Sequence, residues 1–250
     1  YTLGLFTDMR ILTGKKTKGV RYPSVIGHEF CGIIAEVGSD VKGYAVGEKV
    51  AVANVIPCHH CSSCLRGRTN ACLDRKAIGY EFDGGFEEYI RIPAICIENG
   101  NVVKLPEHVS FAAGALIEPL SCCIRGLKNA GTGFNDDVLI VGAGPIGLFH
   151  LQLAKIAGAR KVIVSEPNEA RRKVAQELGA DLVVDPTTED LAAIVDRETN
   201  GQGMDVIMMA IGVPALVNST LKLCKRGGTV NLFAGFAGTG ESTVEVNTIH

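Results

Sequence analysis

The chain has 250 residues, of which 46% are hydrophobic and 21% charged, with a formal net charge of −2. That composition supports a packed core and excludes both a disordered segment and a protein whose main partner is nucleic acid or an anionic membrane. No apolar run approaches the ~20 residues needed to cross a bilayer, and no basic, apolar and cleavable leader marks export. The chain begins at Tyr1 rather than Met and stops at His250 after a strand-like stretch, so a piece of a longer protein is expected. Nine cysteines is an odd number, and Cys31, Cys96, Cys122, Cys123 and Cys224 stand outside any cluster. A secreted disulfide scaffold is short and cysteine-dense, so a cytoplasmic, reducing location is expected.

In chain order, residues 1–119 carry short β-like runs punctuated by Gly and Pro: "GIIAEVGSDV", "GEKVAVANVI", "GGFEEYIRIP" and "NVVKLP". This grammar predicts a β-barrel-like or sandwich domain. Within it, Cys58, Cys61, Cys64 and Cys72 follow the spacing C-x2-C-x2-C-x7-C. Four thiolates satisfy tetrahedral zinc and leave no open position, which defines a structural site pinning a lobe at about residues 55–75. An iron–sulfur cluster is the rival reading, but the C-x3-C-P ending of ferredoxin runs is missing. His59 and His60, between the cysteines, read as exposed loop residues.

From residue 120 to 250, unbroken apolar strands alternate with helical segments. "DVLIVG" leads to "PIGLFHLQLAKIAG", "KVIVSE" to "NEARRKVAQELG", "DLVVD" to "TEDLAAIVDRETN" and "MDVIMMAI" to "PALVNSTLKLCKRG", before "GTVNLFAG". That alternation predicts a doubly wound α/β domain with a parallel sheet covered on both faces. Gly142, Gly144 and Gly147 form G-x-G-x-x-G between the strand Val138–Val141 and a helix that opens with Pro145 and Ile146. The first glycine permits the turn, the second lets backbone approach a pyrophosphate, and the third allows close helix–strand packing. Glu166 ends the next strand nineteen residues after Gly147. A carboxylate there accepts the ribose hydroxyls of NAD and repels the 2′-phosphate of NADP. Arg171 and Arg172 nearby soften that repulsion.

Five segments in order, "GHEFCGIIAEVGSDVKGYAVGEKVAV" (27–52), the cysteine quartet, "GGFEEYIRIP" (84–93), "LIEPLSCCIRG" (116–126) and "VLIVGAGPIG" (138–147), resemble the zinc-dependent medium-chain dehydrogenases, in their polyol, sorbitol and threonine dehydrogenase branch. The resemblance implies a GroES-like catalytic domain, a Rossmann NAD-binding domain lacking the family's C-terminal part, and a homo-oligomer, dimer or tetramer, in the full-length form. It implies an alcohol as small-molecule substrate, and zinc and NAD as cofactors. It assigns a catalytic zinc to His28, Glu29 and Glu118, with Thr7 handing the alcohol proton outward. Here the sequence departs from the family. The cysteine of its C-G-[ST]-D segment falls on Leu5 or, with a one-residue gap, on Phe6, and neither binds zinc. Arg10 stands where many members carry a relay His, and arginine cannot accept a proton at ordinary pH. Asp8 reads as structural, and Cys122 and Cys123 as buried small residues at a helix start. The implied activity is oxidation of a secondary hydroxyl. A non-catalytic nucleotide- and zinc-binding relative is the alternative, and a metal-free reductase of the same fold ranks below both.

Overall fold

Short β-like runs such as KVAV, with Val50, Ala51 and Val52 all buried, pair the first strands of the chain into an antiparallel sheet. The computed structural model describes residues 1–4, 6–236 and 240–249. The chain divides into two compact units, Tyr1–Pro119 and Leu120–His250.

In the first unit, strands β1 (Thr2–Leu3), β2 (Glu29–Ile33) and β3 (Lys49–Val52) and the later β6 (Val102–Lys104) form one antiparallel sheet in the order β1-β2-β3-β6. Helix α1 (Phe6–Leu12) follows β1. A two-stranded ribbon joins β4 (Val55–Ile56) to β5 (Lys76–Ala77) and brackets the short helix α2 (Ser62–Leu65). Helices α3 (Ala94–Glu98) and α4 (Phe111–Ala115) precede α5 (Ile117–Ala130), whose first turn carries Glu118. Phe30, Val50, Val52, Ile56, Ile78, Cys96 and Val102 make the core of this unit.

The stretch 84–93, expected as a strand, forms none. Three of its amides instead donate to the chain just before β2: Gly84 to the Val25 carbonyl, Gly85 to Gly27 and Phe86 to Ile26, at 2.9–3.0 Å. A Cβ on Gly84 would lie 2.1 Å from the Gly27 carbonyl oxygen. The approach is too close for any side chain, so glycine is required, and the pairing ends before a regular ladder can form.

In the second unit, β7 (Asp137–Val141), β8 (Lys161–Ser165), β9 (Leu182–Val184), β10 (Met204–Met209) and β11 (Cys224–Asn231) form a parallel sheet in the order β11-β10-β7-β8-β9. Helices α6 (Pro145–Ile156), α7 (Glu169–Glu177), α8 (Leu191–Thr199) and α9 (Leu216–Leu221) are the crossovers. Alternate residues of β7 serve opposite faces: Val138 and Ile140 join one core cluster, Leu139 and Val141 the other. Both faces are therefore covered, which is why β7 to β10 read as apolar runs; residues 224–227, expected at the end of the preceding helical segment, instead open β11, whose half-buried and exposed positions carry no apolar run. Cys122 is exposed and only Cys123 is buried, which corrects half of the expectation for that pair: successive residues of a helix point about 100° apart, so one can face the core while the other faces water. Among the described residues no helix is long and apolar enough to cross a membrane.

Candidate active site and metal centres

The clamp of 84–86 on 25–27 fixes the backbone that presents His28, the residue before β2. His28 and Glu29 are 7% and 3% exposed. Their ligand atoms and a carboxylate oxygen of half-buried Glu118 all lie within 4.8 Å of one another. His28 Nε2 is 3.8 Å from Glu29 Oε1. On the other side of the ring, His28 Nδ1 lies 3.5 Å from Oδ1 of Asp8, a residue of α1 that is 2% exposed. Thr7 immediately precedes Asp8 on α1, half-buried. The Tyr80 ring sits 5.5 Å from the imidazole, tilted by 58°.

The electrostatics follow from three carboxylates and one imidazole sharing a dry corner. Burial pushes Glu29 up to about 7; Glu118 and Asp8 push the same way and His28 opposes them. Burial acts to lower the His28 pKa, but Asp8, Glu118 and Glu29 outweigh it and the net shift is upward. Burial lifts Tyr80 to about 12, with Asp8 and Glu118 adding to it. His28 Nδ1 and Glu29 Oε2 are buried without a hydrogen-bond partner. Like charges crowded out of water and orphaned polar atoms are costly unless a cation offsets them. One imidazole nitrogen and two carboxylate oxygens are a donor set suited to zinc with a position left open. Leu5 lies outside the described residues, so the column where the resemblance expects a cysteine has no geometry to report.

The second cluster is the quartet. The Sγ atoms of Cys58, Cys61, Cys64 and Cys72 also lie within 4.8 Å of one another. Backbone amides point at the sulfurs: Cys58 N donates to Cys72 Sγ at 3.3 Å and Cys61 N to Cys58 Sγ at 3.4 Å. Amides of Leu73 and Cys64 lower the Cys61 pKa, which favours thiolate. Four converging sulfurs with N–H groups aimed at them suit a tetrahedral zinc. His59 and His60 are exposed, and the positive φ of His59, 59°, turns the chain between the first two cysteines.

In the second unit the three loop glycines differ in geometry. Gly142 has φ 99°, its amide donates to the Ser165 carbonyl at 2.8 Å, and it makes the turn out of β7. Gly144 caps α6 just before Pro145 and Ile146, and a Cβ there would meet nothing within 4 Å. A Cβ on Gly147 would fall 1.9 Å from the Gly142 carbonyl oxygen. Glu166 is 4% exposed. Its Oε2 accepts from Ala143 N at 2.8 Å and its Oε1 from Asn168 N at 3.0 Å. Arg171 Nη1 stands 3.9 Å from Glu166 Oε2, whereas Arg172 is turned to the Glu166 and Pro167 carbonyls and to Asp185. An open backbone face at a helix N-terminus beside a carboxylate fits a dinucleotide's phosphates and ribose.

Sequence reasoning left Asp8 as a structural residue. The relation that marks it is the 3.5 Å approach of its Oδ1 to His28 Nδ1, a contact made in space between residues twenty apart in sequence, which no spacing rule reports.

Residues 5–107 match the family described as alcohol dehydrogenase GroES-like domain, and residues 145–250 the one described as zinc-binding dehydrogenase. L-threonine 3-dehydrogenase of Pyrococcus furiosus is 39% identical over 219 residues, 88% of this chain and 61% of that protein. 2-Dehydro-3-deoxy-L-galactonate 5-dehydrogenase of Pseudoalteromonas atlantica is 37% identical over 228 residues, 91% of this chain and 65% of that protein. Among solved structures, a zinc-binding dehydrogenase from Sinorhizobium meliloti bound to NADP superposes with a TM-score of 0.90 at 34% identity, covering 99% of this chain and 71% of that one. The chain thus spans less than two-thirds of the length of these two curated relatives.

Proposed function

Because this chain belongs to the zinc-dependent medium-chain dehydrogenase family, we propose that it oxidises a secondary hydroxyl of a polyol, a sugar alcohol or a 3-hydroxy amino acid such as threonine to the ketone, with NAD as hydride acceptor. The observation that carries the reading is the convergence of His28, Glu29 and Glu118. The first unit is then the catalytic domain with its zinc lobe, and the second binds the dinucleotide. The named activities of the two relatives, on threonine and on a sugar acid, support an alcohol flanked by polar groups.

A zinc ion held by His28, Glu29 and Glu118 would supply a Lewis acid that lowers the pKa of an alcohol hydroxyl. The chain's own residues do the rest. The Asp8 carboxylate, 3.5 Å from His28 Nδ1, favours a proton on that nitrogen and so leaves Nε2 as the donor atom. Thr7 takes the hydroxyl proton and passes it outward. Arg10 cannot end that relay as a base, because its guanidinium stays charged. Gly142, Gly144, Pro145, Ile146 and Gly147 seat the pyrophosphate, Glu166 takes the ribose hydroxyls, and Arg171 tempers its preference for NAD over NADP. The absence of a paired-cysteine pattern supports a reducing cytoplasm, and the family supports a homo-oligomer.

The test is zinc content together with hydride transfer over a panel of polyols and threonine. Two zinc ions per chain and turnover of at least one alcohol are expected; one zinc ion and no turnover would overturn the reading. One observation favours a second reading, a non-catalytic nucleotide- and zinc-binding relative: neither Leu5 nor Phe6 is a zinc ligand. Leu5→Cys or Phe6→Cys discriminates, since a gain of zinc and of turnover would show a site one ligand short of activity.

A further inference from the structure

The loop that carries Tyr80 is pressed against the residue it faces, His28. Gly79 packs on the chain just before β2: a Cβ there would lie 2.8 Å from the Gly27 carbonyl oxygen and 3.1 Å from His28 Cβ. The loop is tied down on both sides of Tyr80. The Tyr80 amide donates to the Ala77 carbonyl at 3.3 Å, and the Tyr80 carbonyl accepts from the Arg21 amide at 3.0 Å. Glu81 Oε2 accepts from the Ala77 amide at 2.8 Å. Asp83 Oδ1 accepts from the Val25 amide at 3.0 Å and from Arg21 Nη2 at 2.6 Å. Ile78, two residues before Tyr80, has no exposed surface. On this anchor the half-buried Tyr80 ring sits with its centroid 5.5 Å from that of the imidazole, tilted by 58°. Lys16 Nζ lies over the same ring, 5.1 Å from its centroid.

A ligand nitrogen serves a metal only when its ring points one way, and the outer side-chain torsion of histidine is broad. Asp8 approaches His28 Nδ1 at 3.5 Å, longer than a well-made hydrogen bond, and Nδ1 is buried without such a bond. Asp8 therefore favours a proton on that nitrogen but does not by itself hold the angle of the ring. A tilted aromatic neighbour at this centroid distance does so by contact, and a cation over its face holds that neighbour in turn.

We propose that Tyr80 is a positioning residue for the metal corner: its ring, by packing and not through its hydroxyl, fixes the angle at which His28 presents Nε2 beside Glu29 and Glu118. This rests on the reading above that the corner holds zinc.

The test compares Tyr80→Phe and Tyr80→Leu with the parent in the whole protein. The zinc affinity of the His28 corner, read by competition with a chelator, should fall about tenfold in Tyr80→Leu, as it does when a partner that orients a ligand is removed. It should stay at the parental value in Tyr80→Phe, and the cysteine-held ion should be unaffected in both. With the corner metal-free, carbon-13 relaxation of the labelled His28 ring should give an order parameter of about 0.85 in the parent and in Tyr80→Phe, and below about 0.6 in Tyr80→Leu. Parental zinc affinity in Tyr80→Leu overturns the proposal. So does a tenfold loss in Tyr80→Phe, because the hydroxyl would then be the acting group; that variant keeps the ring, so this outcome does not depend on the folding of Tyr80→Leu. The relaxation measurement separates the two readings. A His28 ring immobilised by Tyr80 in a chain that takes up one zinc ion and turns over no alcohol sustains the positioning role and overturns the dehydrogenase reading. A second zinc ion and turnover, with no effect of Tyr80→Leu on either, do the reverse.

Discussion

His150 has no exposed surface, and neither of its ring nitrogens has a hydrogen-bond partner. It lies on α6 with its ring 4.6 Å from Phe233 in an edge-on contact. Burial pushes its pKa down to about 4, so between that value and ~6.5 the unfolded chain binds a proton that the folded chain refuses. Stability is whole above ~6.5 and falls as the pH drops through this window, by about 2 kcal/mol at pH 5. His150→Leu removes the titrating ring and the two unpaired nitrogens at similar volume; urea unfolding at pH 7.5 and 5 should show this part of the acid loss abolished and little change at the higher pH. Asp8 acts through a neighbour. Asp8→Asn keeps the shape but lets the amide face Nδ1 either way, and the zinc affinity of the His28 corner should fall by 10- to 100-fold, measured against a competing chelator, while the cysteine-held ion is unaffected. His28, Glu29, Glu118 and the quartet could be named from their motifs because motif spacing survives in the chain order. Asp8 at Nδ1 could not, because its proximity is made by the path of the chain between residues 8 and 28.

At the scale of elements, β7 to β10 were legible because burial on both faces leaves an apolar run in each strand; β11 was only half legible, because its first residues, with Lys225, Arg226 and Gly227, lack such a run and read as the end of the preceding helical segment. The segment 84–93 was misread because its apolar residues have strand-like spacing, while its backbone is committed to only three hydrogen bonds with 25–27. The glycine loop between β7 and α6 separates folding from binding. Gly147→Ala places a methyl group 1.9 Å from a carbonyl oxygen, so strand and helix must move apart; a loss of about 1–3 kcal/mol is expected, with a fall in Tm. Gly144→Ala adds its methyl in open space, at a backbone conformation (φ −71°, ψ 179°) that alanine adopts freely. Its Tm should stay put while the NAD Kd rises, because the methyl stands where a phosphate oxygen would approach the amides. Equal losses of Tm in the two variants would refute this division of labour.

At the scale of the whole molecule, the two donor sets predict two different modes of metal loss. The quartet closes a lobe between β4 and β5 whose own regular structure is a four-residue helix and one three-residue turn. Leu65 and Leu73 there are exposed, so little apolar burial holds the lobe and the metal must supply its stability. Four thiolates bind zinc without an open position, whereas one imidazole and two carboxylates leave one and are harder, weaker donors. A chelator should therefore draw off zinc in two phases, first from the His28 corner and later from the quartet. Glu118→Gln should abolish the fast phase and leave the slow one. Cys64→Ser should abolish the slow phase, and a protease should then cut between residues 55 and 75 while 120–250 persists as a fragment, since its sheet and both its core clusters lie wholly within that unit. Zinc release followed with a colorimetric indicator, in parallel with mass spectrometry of the digest, reads both outcomes. A single phase of release, or a lobe that resists the protease after Cys64→Ser, would mean that the metal is not what holds residues 55–75 in place.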